Sequence, residues 1–163
     1  MKSISLIKHA KGAPGLRLFG LGPSLIPRKG INELQLLFNE NTLWAKDRSR
    51  SQIKEMLANS NVIITLWKNS HLVGFGRATT DQVYRAVLWD IVISKNVQGI
   101  GLGKIIIEAL LNDKKIKSVE KIYLMTTNSK KFYSQLGFEI NDTQTLMLIN
   151  KSSDELNNPN DHH

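Results

Sequence analysis

The stretch Gln98-Gly99-Ile100-Gly101-Leu102-Gly103-Lys104 decides the reading of this chain, because it joins a strand-like run at residues 83–93 directly to a helix-like run at residues 104–111. Glycines let a backbone turn sharply and come close to a ligand. A helix start adds unpaired N–H groups and the positive end of its dipole, so the junction suits an anion such as a pyrophosphate. The alternative is a glycine-rich strand-to-helix turn that holds nothing. Spacing tests two competing phosphate motifs. A nucleoside-triphosphate loop needs a hydroxyl residue after its lysine, and Lys104 is followed by Ile105. A dinucleotide fingerprint needs G-x-G-x-x-G in a βαβ unit with an acid at the end of the next strand. This cluster is G-x-G-x-G behind a meander, without that acid.

Upstream, residues 62–67 and 72–77 are β-rich runs separated by Lys68-Asn69-Ser70-His71, which reads as a hairpin. Thr80-Asp81-Gln82 turns the chain into the third strand, residues 83–93. Before the meander, Ile31, Leu34, Leu37 and Phe38 recur at helical spacing. A second helix carries Ile53, Met56 and Leu57 on one face, with a cap within Arg48-Ser49-Arg50-Ser51 and an end near Asn59-Ser60. Residues 1–30 hold Gly12, Pro14, Gly15, Gly20, Gly22, Pro23, Pro27 and Gly30, which predicts an irregular or short-strand entry. Downstream, the pattern predicts a strand at 121–127, a short helix at 129–136 and a last strand at 145–150. The expected architecture is one α+β domain with a mixed sheet over residues 1–150, followed by a disordered polar tail at 151–163.

Composition narrows the chemistry. With 163 residues and no cysteine, the chain can bury a core unaided, and disulfides, thiolate metal sites and a cysteine nucleophile are excluded. No apolar run approaches the roughly 20 residues of a membrane span. The first residues carry Lys2, Lys8 and Lys11 without the apolar centre of a secretory signal, and no arginine precedes Arg17, which disfavours an organelle presequence. The formal charge is +8. Lys151 stands against Asp154, Glu155 and Asp161 in the tail, so the rest carries +10. That excess fits a phosphate-bearing partner, a cofactor or a nucleic acid, and equally a solvated surface. His9 falls in the loose entry and His71 in the hairpin turn, so both read as exposed, and neither has a metal-spaced partner.

The glycine stretch and a second one together resemble the GNAT acetyltransferase superfamily. Gln98, Gly101 and Gly103 match its Q/R-x-x-G-x-G/A loop, and Phe132-Tyr133-Ser134-Gln135-Leu136-Gly137-Phe138 matches its F-Y-x-x-x-G-F signature about thirty residues on. The likeness covers roughly residues 44–147 and is nearest to the cyanobacterial and plastid branch. It implies acetyl-coenzyme A as acetyl donor and a primary amine as acceptor, on a protein lysine, a protein N-terminus or a small arylalkylamine. It also implies site residues. Main-chain groups of Ile91, Val92 and Ile93 would meet the pantetheine and acetyl carbonyl. Amides over Gln98, Gly99, Ile100, Gly101, Leu102, Gly103 and Lys104 would hold the pyrophosphate, and Asn128 would contact the cofactor arm. Tyr133 matches the general acid that assists departure of the thiol.

No general base follows from the resemblance, since Ile122-Tyr123-Leu124-Met125-Thr126 lacks the glutamate that many members place there. Asp90, the acid inside the apolar run of the third meander strand, is the candidate, as a base, an amine-orienting group or a hydrogen-bonded structural aspartate. Alternation sets it opposite Ile91 and Ile93, and a bulge would reset that register. Trp44, Trp67 and Trp89 read as core anchors, with Trp44 also placed by the resemblance along the acceptor groove. The expected protein is a monomer or homodimer in the cytoplasm, or in the plastid stroma if organelle-encoded, without membrane attachment and with nucleic acid disfavoured. The rival is a non-catalytic module on the same fold that senses acetyl-coenzyme A or binds nucleic acid.

Overall fold

A computed structural model describes residues 3–9 and 27–151. The chain divides into two compact units, Met1–Thr127 and Asn128–His163, taken here in turn. In the first, β1 (Ile4–His9), α1 (Pro27–Asn41), α2 (Arg50–Ala58), β2 (Val62–Lys68), β3 (His71–Thr80), β4 (Arg85–Ile93), α3 (Leu102–Leu111) and β5 (Lys121–Tyr123) follow one another. The strands form one sheet in the order β1-β2-β3-β4-β5, antiparallel up to β4 and parallel between β4 and β5. This is the mixed sheet of an α+β fold. No helix among the described residues is long and apolar enough to cross a membrane.

Alternation along the strands builds two cores. Ile63, Trp67, Phe75 and Val92 face Ile31, Leu34, Leu37 and Phe38 of α1 together with Ile53 and Leu57 of α2. Each such side chain, fully buried, contributes about 1.5–3 kcal/mol. The neighbouring strand positions belong to α3. A Cβ added to Gly76 would stand 2.5 Å from Cγ2 of Ile106, so only glycine lets that helix lie this close to β3. Helix α1 starts at Pro27, earlier than the apolar spacing predicts, since proline suits the first helical position. Helix α2 starts at the expected cap. Ser49 Oγ accepts from Gln52 N at 3.2 Å, and Gln52 Oε1 accepts from Ser49 N at 3.0 Å.

The meander is held by local chemistry at its turns. Asn69 adopts φ 57° in the hairpin, and the Asp81 carboxylate accepts N–H bonds from Val83, Tyr84 and Arg85 at 2.8–2.9 Å. The amides of Arg85 and Val83, foremost, hold the Asp81 carboxyl below its ordinary value.

Three expectations change. His9 is buried at the end of β1, its Nε2 2.7 Å from Thr65 Oγ1, which also accepts from Trp67 Nε1 at 2.8 Å. Pairing of β1 with β2 carries the histidine inward, so the entry opens as a short strand; residues 10–26 lie outside the described residues. The strand expected at 121–127 ends at Tyr123. In the second unit, α4 (Lys130–Ser134) forms as expected, but residues 145–150 form no strand, and Leu146, Met147, Leu148 and Ile149 are exposed. A β-rich run becomes a strand only where a ladder receives it, and no strand pairing involves 145–150 among the described residues. The tail beyond Lys151 lies outside them too.

Candidate active site

Strand β5 accompanies β4 only at Arg85, Ala86 and Val87, so along residues 88–93 that side of β4 has no strand beside it among the described residues. On its other side β4 carries a bulge. Phe75 pairs with Val92 and Arg77 with Trp89, leaving Asp90 and Ile91 together opposite Gly76. Asp90 takes φ 53°, a left-handed conformation uncommon outside glycine. Ile91 and Ile93 reach the α3 side beside Gly76 and Gly74, while Val92 packs into the α1 and α2 core. The side chains therefore serve the core, and the main chain of this stretch supplies the open edge.

A short 3-10 turn, Lys95–Val97, leads from β4 into the glycine loop. Gln98 Nε2 donates to the Ile93 carbonyl at 2.9 Å, which fastens the loop to the end of the strand. Gly99 and Gly101 have φ 83° and 86°, and a Cβ built on either would meet nothing within 4 Å. The turn is thus open, not filled by side chains. Gly101 caps α3 without a side-chain bond, and the first intrahelical acceptor bond runs from Ile105 N to Gly101 O at 3.2 Å. The amides of Leu102, Gly103 and Lys104 precede that bond, as the first turn of any helix requires. Leu102 anchors the turn in the core, whereas Gln98, Gly99, Ile100, Gly101 and Lys104 are exposed. Lys104 Nζ lies 3.7 Å from Glu108 Oε1, one helical turn on, so its charge is shared within α3. An oxygen-rich anion fits this cradle: the glycine conformations, the open space and the helix end agree.

Asp90 is the least solvated acid of the bulge, its side chain 6 % exposed. Both oxygens are engaged: Oδ2 accepts from Arg77 Nε at 2.6 Å and Oδ1 from Arg48 Nη1 at 3.3 Å. Arg77 also reaches Ser60 Oγ at 3.4 Å and lies over the Trp89 ring. Sequence reasoning missed both arginines. The available signal was Arg77 itself, a charge inside the apolar run of β3 answering the acid inside that of β4. Trp44 is no core anchor: it lies beyond α1, 57 % exposed, under the Arg48 guanidinium. Trp67 is buried.

Asn128 and Tyr133 belong to the second unit. Asn128 is exposed, and its Oδ1 accepts from Ser129 Oγ at 3.2 Å. Tyr133, on α4, has ring centroids 5.1 Å from Phe132 and 5.9 Å from Phe138. Burial pushes its phenol above the ordinary value. Gly137, at φ 89°, turns the chain so that Phe138 N can donate to the Tyr133 carbonyl at 3.1 Å. The F-Y-x-x-x-G-F signature is thus a helix, a left-handed turn and a returning aromatic.

A mixed sheet opened at β4, with an anion-receptive glycine turn at its end, defines a class of group-transfer fold. Residues 31–138 match the acetyltransferase (GNAT) family, and the chain belongs to it. It is an acyltransferase. The chain is 39% identical over 121 residues to the uncharacterized N-acetyltransferase ycf52 of Pyropia yezoensis, covering 70% of this chain and 68% of that one. Relatives of the same name or type come from plastids and cyanobacteria, which places the chain in that branch. The chloroplastic serotonin N-acetyltransferase 2 of Oryza sativa subsp. japonica is 36% identical over 88 residues, 53% of this chain and 44% of that one. A GNAT family acetyltransferase of Streptococcus pneumoniae TIGR4 superposes with a TM-score of 0.68 over 91% of this chain and 99% of its own, at 19% identity.

Proposed function

We propose that the chain transfers the acetyl group of acetyl-coenzyme A to a primary amine by direct attack. The observation that carries this reading is the open glycine turn at the start of α3, where two left-handed glycines leave free space before unbonded helix amides. Amides from Gly99 to Lys104 hold the diphosphate, with Gln98 fixing the loop to β4. The unpaired edge along Ile91, Val92 and Ile93 hydrogen-bonds the pantetheine and acetyl carbonyl. Asn128 steadies the cofactor arm. Bound there, the donor supplies an activated thioester.

Tyr133 keeps its proton at neutral pH, because burial favours the uncharged phenol, and so can give it to the departing thiolate. Asp90, with both oxygens bound by arginines, acts as a positioning residue: it holds the bulge that presents the Ile91 backbone. The amine is taken up in its neutral form. Most of the acceleration comes from holding amine and thioester as neighbours. The acceptor is a protein lysine, a protein N-terminus or a small arylalkylamine, the last supported by the name of the rice relative. The protein works as a monomer or homodimer, in the plastid stroma or cytoplasm, without nucleic acid.

Thiol release from acetyl-coenzyme A with peptides, polyamines and arylalkylamines, followed by mass-spectrometric identification of products, tests this. An N-acetylated product is expected. Cofactor binding with no product from any amine would leave a sensing module instead.

A further inference from the structure

The bulge that shapes β4 also concentrates positive charge. Two guanidinium groups converge on one carboxylate, so Arg48, Arg77 and Asp90 together carry a net +1. Arg77 is largely committed, bonded through Nε to Asp90 and through Nη1 to Ser60. Arg48 is not. Its side chain is 30 % exposed, and its hydrogen bonds all leave from Nη1, one to Asp90 Oδ1 at 3.3 Å and one to the weak acceptor Sδ of Met56 at 3.6 Å. Nε and Nη2 donate to no protein atom among the described residues. The guanidinium is nonetheless held in place, 5.3 Å from the Phe38 ring centroid and 5.5 Å from that of Trp44. Its main chain is fastened as well, since Gln35 Nε2 donates to the Arg48 carbonyl at 2.9 Å.

A planar fork, resting against two neighbouring aromatic rings with donors unspent and charge unbalanced, is preorganised for a second carboxylate. We infer that Arg48 is an acceptor-recognition residue that selects amines borne on acidic peptide segments, receiving a carboxylate next to the amine that is acetylated. The inference rests on the proposed reaction, in which the acceptor reaches the thioester at the β4 bulge. The same excess charge repels an acceptor that brings a further positive group where the carboxylate would sit. Acceptors with several positive charges are poor substrates for the same reason.

Three hexapeptides with a free α-amine, differing only in aspartate, asparagine or lysine at the second position, provide the test. Their kcat/KM is measured with acetyl-coenzyme A, and their equilibrium binding to the full chain by calorimetry. The aspartate peptide is expected to exceed the asparagine peptide by about tenfold, and the lysine peptide to fall below both. In Arg48→Gln, with folding checked by thermal melting, the ratio of aspartate to asparagine peptide should drop to near one. If that variant does not fold, raising salt from about 50 mM to about 500 mM should shrink the wild-type ratio. A wild-type ratio of one or less, or a ratio preserved in folded Arg48→Gln or at high salt, overturns the inference. Peptides acetylated without regard to charge defeat it and leave the enzyme reading standing. Charge-selective binding without acetylation overturns the enzyme reading and with it the acceptor role of Arg48, leaving a carboxylate-binding site, and neither binding nor acetylation sinks both.

Discussion

Tyr133 offers the sharpest chemistry in the second unit, since the rings of Phe132 and Phe138 surround it and burial raises its phenol above the ordinary value near 10. Tyr133→Phe keeps the ring and removes the proton; turnover should fall by about 10²-fold or more while coenzyme A affinity changes little, read from steady-state kinetics beside calorimetry. An unaltered rate would remove the acid role. The raised pKa also sets a direction. The stability it lends is complete below the unfolded value near 10 and is lost as pH rises through the folded one, so loss of this proton should lower neither rate nor stability between about pH 7 and 9. Asp113 titrates the other way. Burial alone would raise its carboxyl, but the Lys8 ammonium and the Lys115 amide outweigh burial and hold it below the ordinary value. That stability is present above about pH 4 and lost as pH falls through the folded value. Because Lys8 is half exposed, Asp113→Ala should cost only about 1–3 kcal/mol at pH 7, with a smaller difference from wild type in acid, measured by denaturant titration.

Among the elements, the turn into α3 carries the strongest expectation. Gly101→Glu forces a side chain into φ 86° and sets a carboxylate where an anion is to bind, so coenzyme A affinity should be abolished in calorimetry. Unchanged affinity would end the assignment of the loop. This element was legible beforehand because its glycines, its flanking periods and its helix start all lie within a few consecutive residues. The hairpin β2–β3 and the cap at Ser49 were legible for the same reason. Long-range pairing hid the rest. The burial of His9 depends on β1 pairing with β2 across more than fifty positions, and the exposure of Leu146 to Ile149 on the lack of a receiving ladder. Arg48 became part of the site only through contacts 42 residues away in sequence.

At the scale of the whole molecule, the glycine loop, the open edge and the arginine pair lie in the first compact unit, and the Tyr133 phenol and Asn128 in the second. The net charge of +8 would complement the proposed phosphorylated donor and the proposed acidic acceptor alike. One detail of β4 bears on how such a protein can be improved. Asp90 and Ile91 share a single opposing residue, Gly76, so the strand is one residue too long for its neighbour. Excising Ile91 would restore regular rungs, but Asp90 would then take its place opposite Gly76, facing Ile106 on the α3 side, and Arg77 and Arg48 would lose their carboxylate. The surplus residue thus lets one strand present an apolar side chain to one helix layer and a paired carboxylate to the other, and a search for hardier variants should leave it alone.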